Sequence, residues 1–373
     1  FDISSNSLGL FRGRMRVAVV GAGLSGLVSA YTLLKKEAEV RQRSGKQHLE
    51  SLLVLEANAE VGGRLKSTED GIDLGGSWVF NGFTATENLC SELGVKLMQH
   101  PSSYSQDKRV QGGAKTLILE LCEQTSALAS KLQIRYDLRV KSKVTGLSVS
   151  DSTKEIGVKV GNDTVSASHV LVAVPPRIVE KNITWEPKLS SRLRNFMINQ
   201  NTWMSSMGKV AFMYDVPWWR NDKRKVDIDS IRPSGNGPIV QLLDGSSGET
   251  ESGETYAIVA FIAPDLYQHE GCVAEAISQM GTIASKLGHT GKPIKTEHML
   301  WMDDENIFTK VDGKPSDHMI YYDHPRPANP DYFAELTKNQ IYLCGSEIDS
   351  RNPGYIEGAV RSALRVAENI YPE

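Results

Sequence analysis

The sequence is short of the features that mark several common classes of protein. Its 373 residues hold four cysteines, Cys90, Cys122, Cys272 and Cys344, too few and too scattered for a disulfide framework. None forms a CxxC pair, so no metal site is expected. Cys344 sits in an apolar strand pattern and reads as a buried free thiol. No run approaches the roughly 18 apolar residues that span a bilayer. Excess charge of one sign is also missing: 42 Lys and Arg against 45 Asp and Glu leave a net charge of -3, and no long basic run is present to hold nucleic acid. The first residue is Phe1 and not Met, so any upstream segment lies outside this numbering and the compartment stays open. Two glycosylation sequons, at Asn162 and Asn182, are about what chance supplies. Oligomeric state stays open as well.

What is present begins with length. A chain of 373 residues exceeds what one core fills, so two intimately joined domains are expected. After an aperiodic arm at 1–14, Val17-Ala-Val-Val20 reads as an apolar strand, Gly21-Ala-Gly-Leu-Ser-Gly26 as a tight turn, and 27–36 as a helix. A polar stretch at 37–51, as an extended helix or a surface loop, precedes a second strand, 52–55, that ends on Glu56. The three glycines have separate duties: a tight turn at Gly21, close backbone approach to a pyrophosphate at Gly23, and close helix-on-strand packing at Gly26. The helix N-terminus offers free N–H groups and a positive dipole end to phosphate, and Leu24 and Ser25 in the turn are counted among the cofactor contacts. Glu56 is placed to accept both ribose hydroxyls of an adenosine. In this strand–turn–helix context the pattern points to a dinucleotide site, although 26 to 56 is a longer interval than the motif's spacing of about 20 residues. Further along, strands at 209–213, 239–243 and 256–262 suggest an antiparallel sheet, with helices at 190–199 and 273–287. The chain then returns to its first style, with a strand at 341–344 and a helix from about 355 to 370.

The residues after Glu56 bear on which dinucleotide. Glu56-Ala-Asn-Ala-Glu-Val-Gly-Gly-Arg64 and Gly71-Ile-Asp-Leu-Gly-Gly-Ser-Trp78 resemble the flavin-containing amine oxidase family, which includes monoamine, polyamine and L-amino acid oxidases. Tyr342-Leu-Cys-Gly-Ser-Glu347 and Asn352-Pro-Gly-Tyr-Ile-Glu-Gly-Ala-Val360 look like the family's C-terminal flavin signature. The resemblance covers nearly the whole chain from Arg16. It implies an α/β fold, a Rossmann-like FAD-binding domain (15–79, 106–175 and 332–373) with a discontinuous second domain (80–105 and 176–331) on an antiparallel sheet plus helices. It implies oxidation of an amine or amino acid by hydride transfer to flavin N5, with O2 reduced to H2O2. The flavin contacts carried over are Ala57, Gly63, Gly76, Ser77 and Trp78, Gly345 and Ser346, and Glu347 on the ribityl or ribose hydroxyls. Arg64 would offer its fork to phosphate or a flavin carbonyl, with a surface salt bridge as the alternative. Val144, in a strand over 139–147, would bind adenine through its backbone. Trp301 would pack beside the ring, and the helix N-terminus at Tyr355 and Ile356 would face the flavin pyrimidine carbonyl.

At the reacting centre the resemblance implies two aromatic walls, Tyr355 and either Tyr321 or Tyr322, the latter slightly favoured. Lys209 fits the family lysine that holds a water near N5, though a lysine snorkelling to the surface would match the same pattern. Pro217-Trp-Trp-Arg220 reads as a structural corner. Two departures stand out. Only residues 79–105 separate the Gly-Ser-Trp segment from Gln111-Gly-Gly, where the family usually inserts a helical substrate region. The C-terminal signature also holds no cysteine beyond Cys344, whose strand position is wrong for the flavin ring, so FAD is expected to bind noncovalently, with His318 a remote attachment point. Two other readings remain open: a renalase-like dihydronicotinamide oxidase or desaturase, and a flavoprotein that binds FAD without catalysis.

Overall fold

The structure is a computed structural model that describes residues 14–100, 106–220, 227–233, 237–251, 253–264, 270–309 and 324–371. Tyr321, Tyr322 and His318 lie outside the described residues, as does nearly all of the proposed arm.

A five-stranded parallel sheet organises the first half. Its order is Ile341–Leu343, His169–Val172, Met15–Val20, Leu49–Leu55 and Arg135–Arg139. Because side chains alternate along a strand, Val17 and Val19 face one hydrophobic cluster while Ala18 and Val20 face another. Helices Leu24–Ser44, Lys115–Lys131 and Ile356–Ile370 pack on the first face. Both faces are thus buried, which is why these strands are apolar almost throughout.

The polar stretch at 37–51 is mostly helix. The first helix continues to Ser44 and ends at Gly45, whose φ of 68° closes it with an N–H bond to the Arg41 carbonyl at 2.8 Å. Glu37 follows Leu33 and Leu34 on the buried stripe and is itself fully buried. Its carboxylate accepts from Arg41 Nε at 2.6 Å, from the His48 and Leu49 N–H groups at 3.0 Å, and from the Tyr371 hydroxyl at 2.9 Å. That one side chain joins the helix end, the start of the second strand and the C-terminal helix.

The expected 139–147 strand is two strands. Arg135–Arg139 is the edge of the parallel sheet, and Val144–Val149 belongs to a second sheet with order Thr184–Glu186, Val144–Val149, Ile156–Val160, Asp163–Ala167. The break is local: Lys141 adopts a left-handed φ of 52°, and the N–H groups of Lys141 and Ser142 turn to the Asn58 and Glu56 carbonyls.

The second half carries the antiparallel sheet, in the order Ile239–Asp244, Tyr256–Ile262, Gly208–Tyr214, Lys295–Leu300. Its Gly208–Tyr214 strand is buried along its whole length. Val210, Phe212 and Tyr214 face the helix Cys272–Lys286, while Ala211 and Met213 pack against Ile72 and Leu74. Lys209 shares that second face by alternation. The corner after this strand is pinned on buried Asp244, which accepts from Trp219 Nε1 at 2.8 Å and Arg220 Nε at 2.7 Å. A small antiparallel sheet of Trp78–Val79, Lys108–Val110 and Leu97–Gln99 follows the first domain's glycine-rich segment, with the helix Thr84–Glu92.

Candidate active site

A cavity of about 860 Å³ opens between the parallel and antiparallel sheets, at the upper end of the range for small-ligand pockets. At one end it is lined by Gly21, Gly23, Leu24 and Ser25. Gly21 has φ 97°, and a Cβ there would lie 2.8 Å from the Ala173 carbonyl oxygen, so the turn requires glycine. Gly26 does not line the cavity. A Cβ on it would fall 1.9 Å from the Gly21 carbonyl oxygen, which makes it the residue that lets helix sit on turn. The helix N-cap is Gly23, with no side-chain cap and no acid in the first turn, so its leading N–H groups face the cavity uncompensated.

Glu56 stands at the end of its strand, where its two carboxylate oxygens accept the N–H of Ala22 and of Asn58, each at 2.8 Å. Burial pushes its carboxyl pKa up, and the backbone donors oppose that shift. Ala57 and Val144 complete this end of the wall. The middle is formed by Gly63, Arg64, Gly345, Ser346 and Glu347. Arg64 is neither on the surface nor free: it pairs with buried Glu347 at 2.7 Å and 2.9 Å, and donates to Ser346 Oγ and the Trp203 carbonyl at 3.1 Å. Burial alone would raise the Glu347 carboxyl, but the Arg64 guanidinium and the hydrogen bonds from Ser346 and the backbone together outweigh it and hold the group below its usual range.

Gly76, Ser77, Trp78, Lys209, Trp301, Tyr355 and Ile356 line the far end. Lys209 is buried, not snorkelled. Its ammonium donates to the Gly75 carbonyl at 2.6 Å and to Ser77 Oγ at 2.8 Å, and lies 4.7 Å from the Phe261 ring centre. Burial lowers its pKa to about 8, with nearby Asp73 opposing the shift. Trp301 donates Nε1 to the Leu74 carbonyl at 3.2 Å, which fixes the plane of its indole. Tyr355 is the N-cap of the last helix, which also has no side-chain cap.

The structure brings together every expected flavin-contacting residue except Gly26 at this one cavity. It also adds residues that local pattern did not single out. The Tyr355 hydroxyl meets His324 Nε2 at 2.9 Å, and His324 stacks on Tyr355 at 4.7 Å and on Trp203 at 3.5 Å. Phe80 and Phe83 meet the Tyr355 edge at 5.6 Å. His100 and Asp229 form a further pair on the wall. Of these, only Phe80 offered a sequence signal, two residues past the Gly-Ser-Trp motif. The four cysteines are free, and none lines the cavity; Cys344 packs in the core beside Ser29. Among the described residues no helix is long and apolar enough to cross a membrane, and no group of three or more metal-ligating acids, histidines or cysteines occurs.

Comparison with known proteins bears on the same reading. The family described as flavin containing amine oxidoreductase matches residues 102–371, and an NAD(P)-binding Rossmann-like domain matches residues 19–93. A Dictyostelium discoideum protein named probable flavin-containing monoamine oxidase A is 24% identical over 274 residues, 71% of this chain. The chain spans 54% of that relative's length. Among solved structures, putrescine oxidase bound to putrescine aligns with a TM-score of 0.64 at 17% identity, covering 97% of this chain and 100% of the other. Cyclohexylamine oxidase from Brevibacterium oxydans aligns at 0.66 with 14% identity, covering 96% and 99%. Those two likenesses speak for the fold alone. The family match spans well over half the sequence and includes the Lys209 strand and the Tyr355 helix, so the chain belongs to the flavin-containing amine oxidoreductases.

Proposed function

We propose that the chain binds FAD noncovalently and oxidises a primary or secondary amine, or an amino acid, to the imine, with dioxygen reduced to hydrogen peroxide. FAD, when bound, takes hydride from the carbon next to nitrogen and passes the electrons to oxygen. The cavity fits such a group: a turn that admits no Cβ at Gly21 or Gly26 and leaves Gly23 bare toward the cavity, an uncapped helix N-terminus for pyrophosphate, and a buried acceptor at Glu56 for ribose hydroxyls. Ala57 and Val144 would flank adenine; Gly63, the Arg64–Glu347 pair, Gly345 and Ser346 would hold the ribityl chain; and Trp301 and the helix N-terminus at Tyr355 and Ile356 would meet the ring. Noncovalent attachment is supported by the absence of any cysteine from the cavity lining. On this reading the segments 15–79, 106–175 and 332–373 carry the cofactor, and 80–105 and 176–331 the substrate.

The observation that carries the oxidase reading is Lys209. A lysine whose ammonium is buried in a cavity wall, at a desolvation cost of several kcal/mol, is retained where a fixed positive charge is useful. Next to the site of oxygen reduction it stabilises negative charge as it forms. Tyr355, supported by Phe80, Phe83 and His324, supplies a rigid aromatic wall that orients the amine and excludes water. A dihydronicotinamide oxidase would instead be expected to present a broad face poor in lysine.

The test is peroxide release in air from the FAD-loaded protein, with a panel of alkyl, aryl and polyamines, amino acids, and a dihydronicotinamide as a separate arm. Peroxide with one amine class supports the proposal. Peroxide only with the dihydronicotinamide, or with nothing at full FAD occupancy, overturns it.

A further inference from the structure

One polar side chain at the cofactor end of the cavity is bonded to nothing in the folded chain. Asn182 ends the helix Pro176–Asn182 and lines the cavity half-buried. Its Nδ2 is sealed from solvent without a hydrogen-bond partner. Its Oδ1 is not sealed, and no group among the described residues donates to it. Nδ2 is also the atom a glycan would take in the Asn182-Ile-Thr184 sequon, so in the folded chain that use is closed.

The position adjoins the place where the base of an adenosine would lie. Glu56 offers its carboxylate to the ribose, and its own carbonyl accepts the Ser142 N–H at 2.7 Å, which brings 142–144 alongside. Two residues past Val144, Gly146 pairs in parallel with Thr184, which is two residues past Asn182. The Thr184 hydroxyl ties the two segments again by donating to the Thr145 carbonyl at 3.1 Å. Equal offsets along these segments bring Asn182 close to the level of Val144, and both line the cavity. The rest of this wall is apolar, with Ile178 and Ile183, as suits a flat purine met by one directed polar group.

The neighbouring polar side chains on the same end are engaged elsewhere. Ser142 Oγ donates to the Val140 carbonyl at 3.0 Å, Lys143 pairs with Glu305 at 2.7 Å, and Asn306 donates to Asn58 Oδ1 at 2.8 Å. A carboxamide with no partner stands apart from them, because polar groups at a half-buried wall are normally satisfied by protein, water or ligand.

We infer that Asn182 reads the base of the cofactor, its Oδ1 accepting the 6-amino group of adenine, which makes it a specificity-determining residue for an adenine dinucleotide. That amino group is the donor on the adenine ring, whose nitrogens at N1, N3 and N7 only accept, and an asparagine oxygen matches it without bringing a charge into an apolar slot. This inference rests on the FAD reading above and is independent of which substrate is oxidised.

The experiment compares FAD with an analogue in which purine replaces adenine, so that the 6-amino group alone is missing. The full chain, freed of flavin, is equilibrated with each by dialysis, and bound flavin is read by its absorbance. Wild-type protein is expected to bind FAD about tenfold more tightly than the analogue, the worth of one hydrogen bond in a sheltered site. Asn182→Ala is expected to bind the two equally, within about twofold, whatever its absolute affinity. Because alanine leaves a gap, Asn182→Leu is the paired variant: it fills the volume without a polar atom and is expected to show the same equal binding. A structural role for Asn182 would weaken both ligands alike and leave their ratio untouched. A wild-type ratio near one, or a tenfold ratio that survives in either variant, overturns the inference alone. A wild-type protein that binds neither ligand overturns the FAD reading and this inference with it.

Discussion

Replacing Lys209 with methionine tests how the buried ammonium is held. With its pKa lowered to about 8 from 10.5 by burial, Lys209 is protonated in the unfolded chain, but neutral in the folded one, between those two values. The folded state therefore pays a charge penalty that is fully present below pH 8 and is relieved as pH rises toward 10.5. About 2.5 pH units at 1.36 kcal/mol each gives roughly 3 kcal/mol. Lys209→Met removes that penalty and also leaves the Gly75 carbonyl and Ser77 hydroxyl without their donor, a loss of about 1–3 kcal/mol. The two effects nearly cancel at pH 7. By pH 10 most of the penalty is relieved while the loss remains, so the stability of the variant relative to wild type falls by about 2.5 kcal/mol between pH 7 and 10. Taking about 2 cal/mol/K of unfolding entropy per residue, this is a change of about 3 °C in the difference between melting temperatures. Melting curves of the FAD-loaded proteins from pH 7 to 10 provide the assay. Two curves that stay parallel over that range would show that Lys209 carries no such charge penalty.

Glu56→Gln replaces a carboxylate that faces the cavity with an amide, and FAD affinity is expected to fall at least tenfold; recovery of free-flavin fluorescence on dilution measures it. Glu347→Gln breaks the pair with half-buried Arg64 and is expected to cost about 2 kcal/mol after allowance for solvent screening. The depressed Glu347 carboxyl contributes stability that is lost as pH falls through its folded pKa, so the gap between wild type and variant should close toward acid in denaturant titrations. Tyr371→Phe removes the hydroxyl that donates to buried Glu37, and a loss of about 1–2 kcal/mol in denaturant titration at unchanged peroxide yield is expected.

The placement of the glycine turn and Glu56 at one end of the cavity was legible because its signals are local. A strand, a glycine turn and an uncapped helix are contiguous in sequence, and Glu56 ends the very next strand, so the pattern was enough despite the long interval from 26 to 56. The same holds for the last strand and helix around Glu347 and Tyr355. The 37–51 stretch was harder, because polarity alone does not separate an extended helix from a loop; the signal was Glu37 falling four and three residues after Leu33 and Leu34 on the apolar stripe. The break in the expected strand at 139–147 came from a single left-handed residue, Lys141, which no propensity marks. The reacting end was least legible. His324, Trp203, His100 and Asp229 are isolated in sequence, and they meet only because sheets paired over long separations carry them to one cavity.

On the proposed function, a flavin bound in this cavity is reduced by an amine. The most direct measurement is anaerobic mixing of the purified yellow protein with the amine and amino acid panel, following flavin absorbance and then admitting air. Bleaching by one amine class is expected, with recovery of the yellow colour in air and peroxide formed. Absorbance that stays unchanged with every amine, or bleaches only with a dihydronicotinamide, would contradict it.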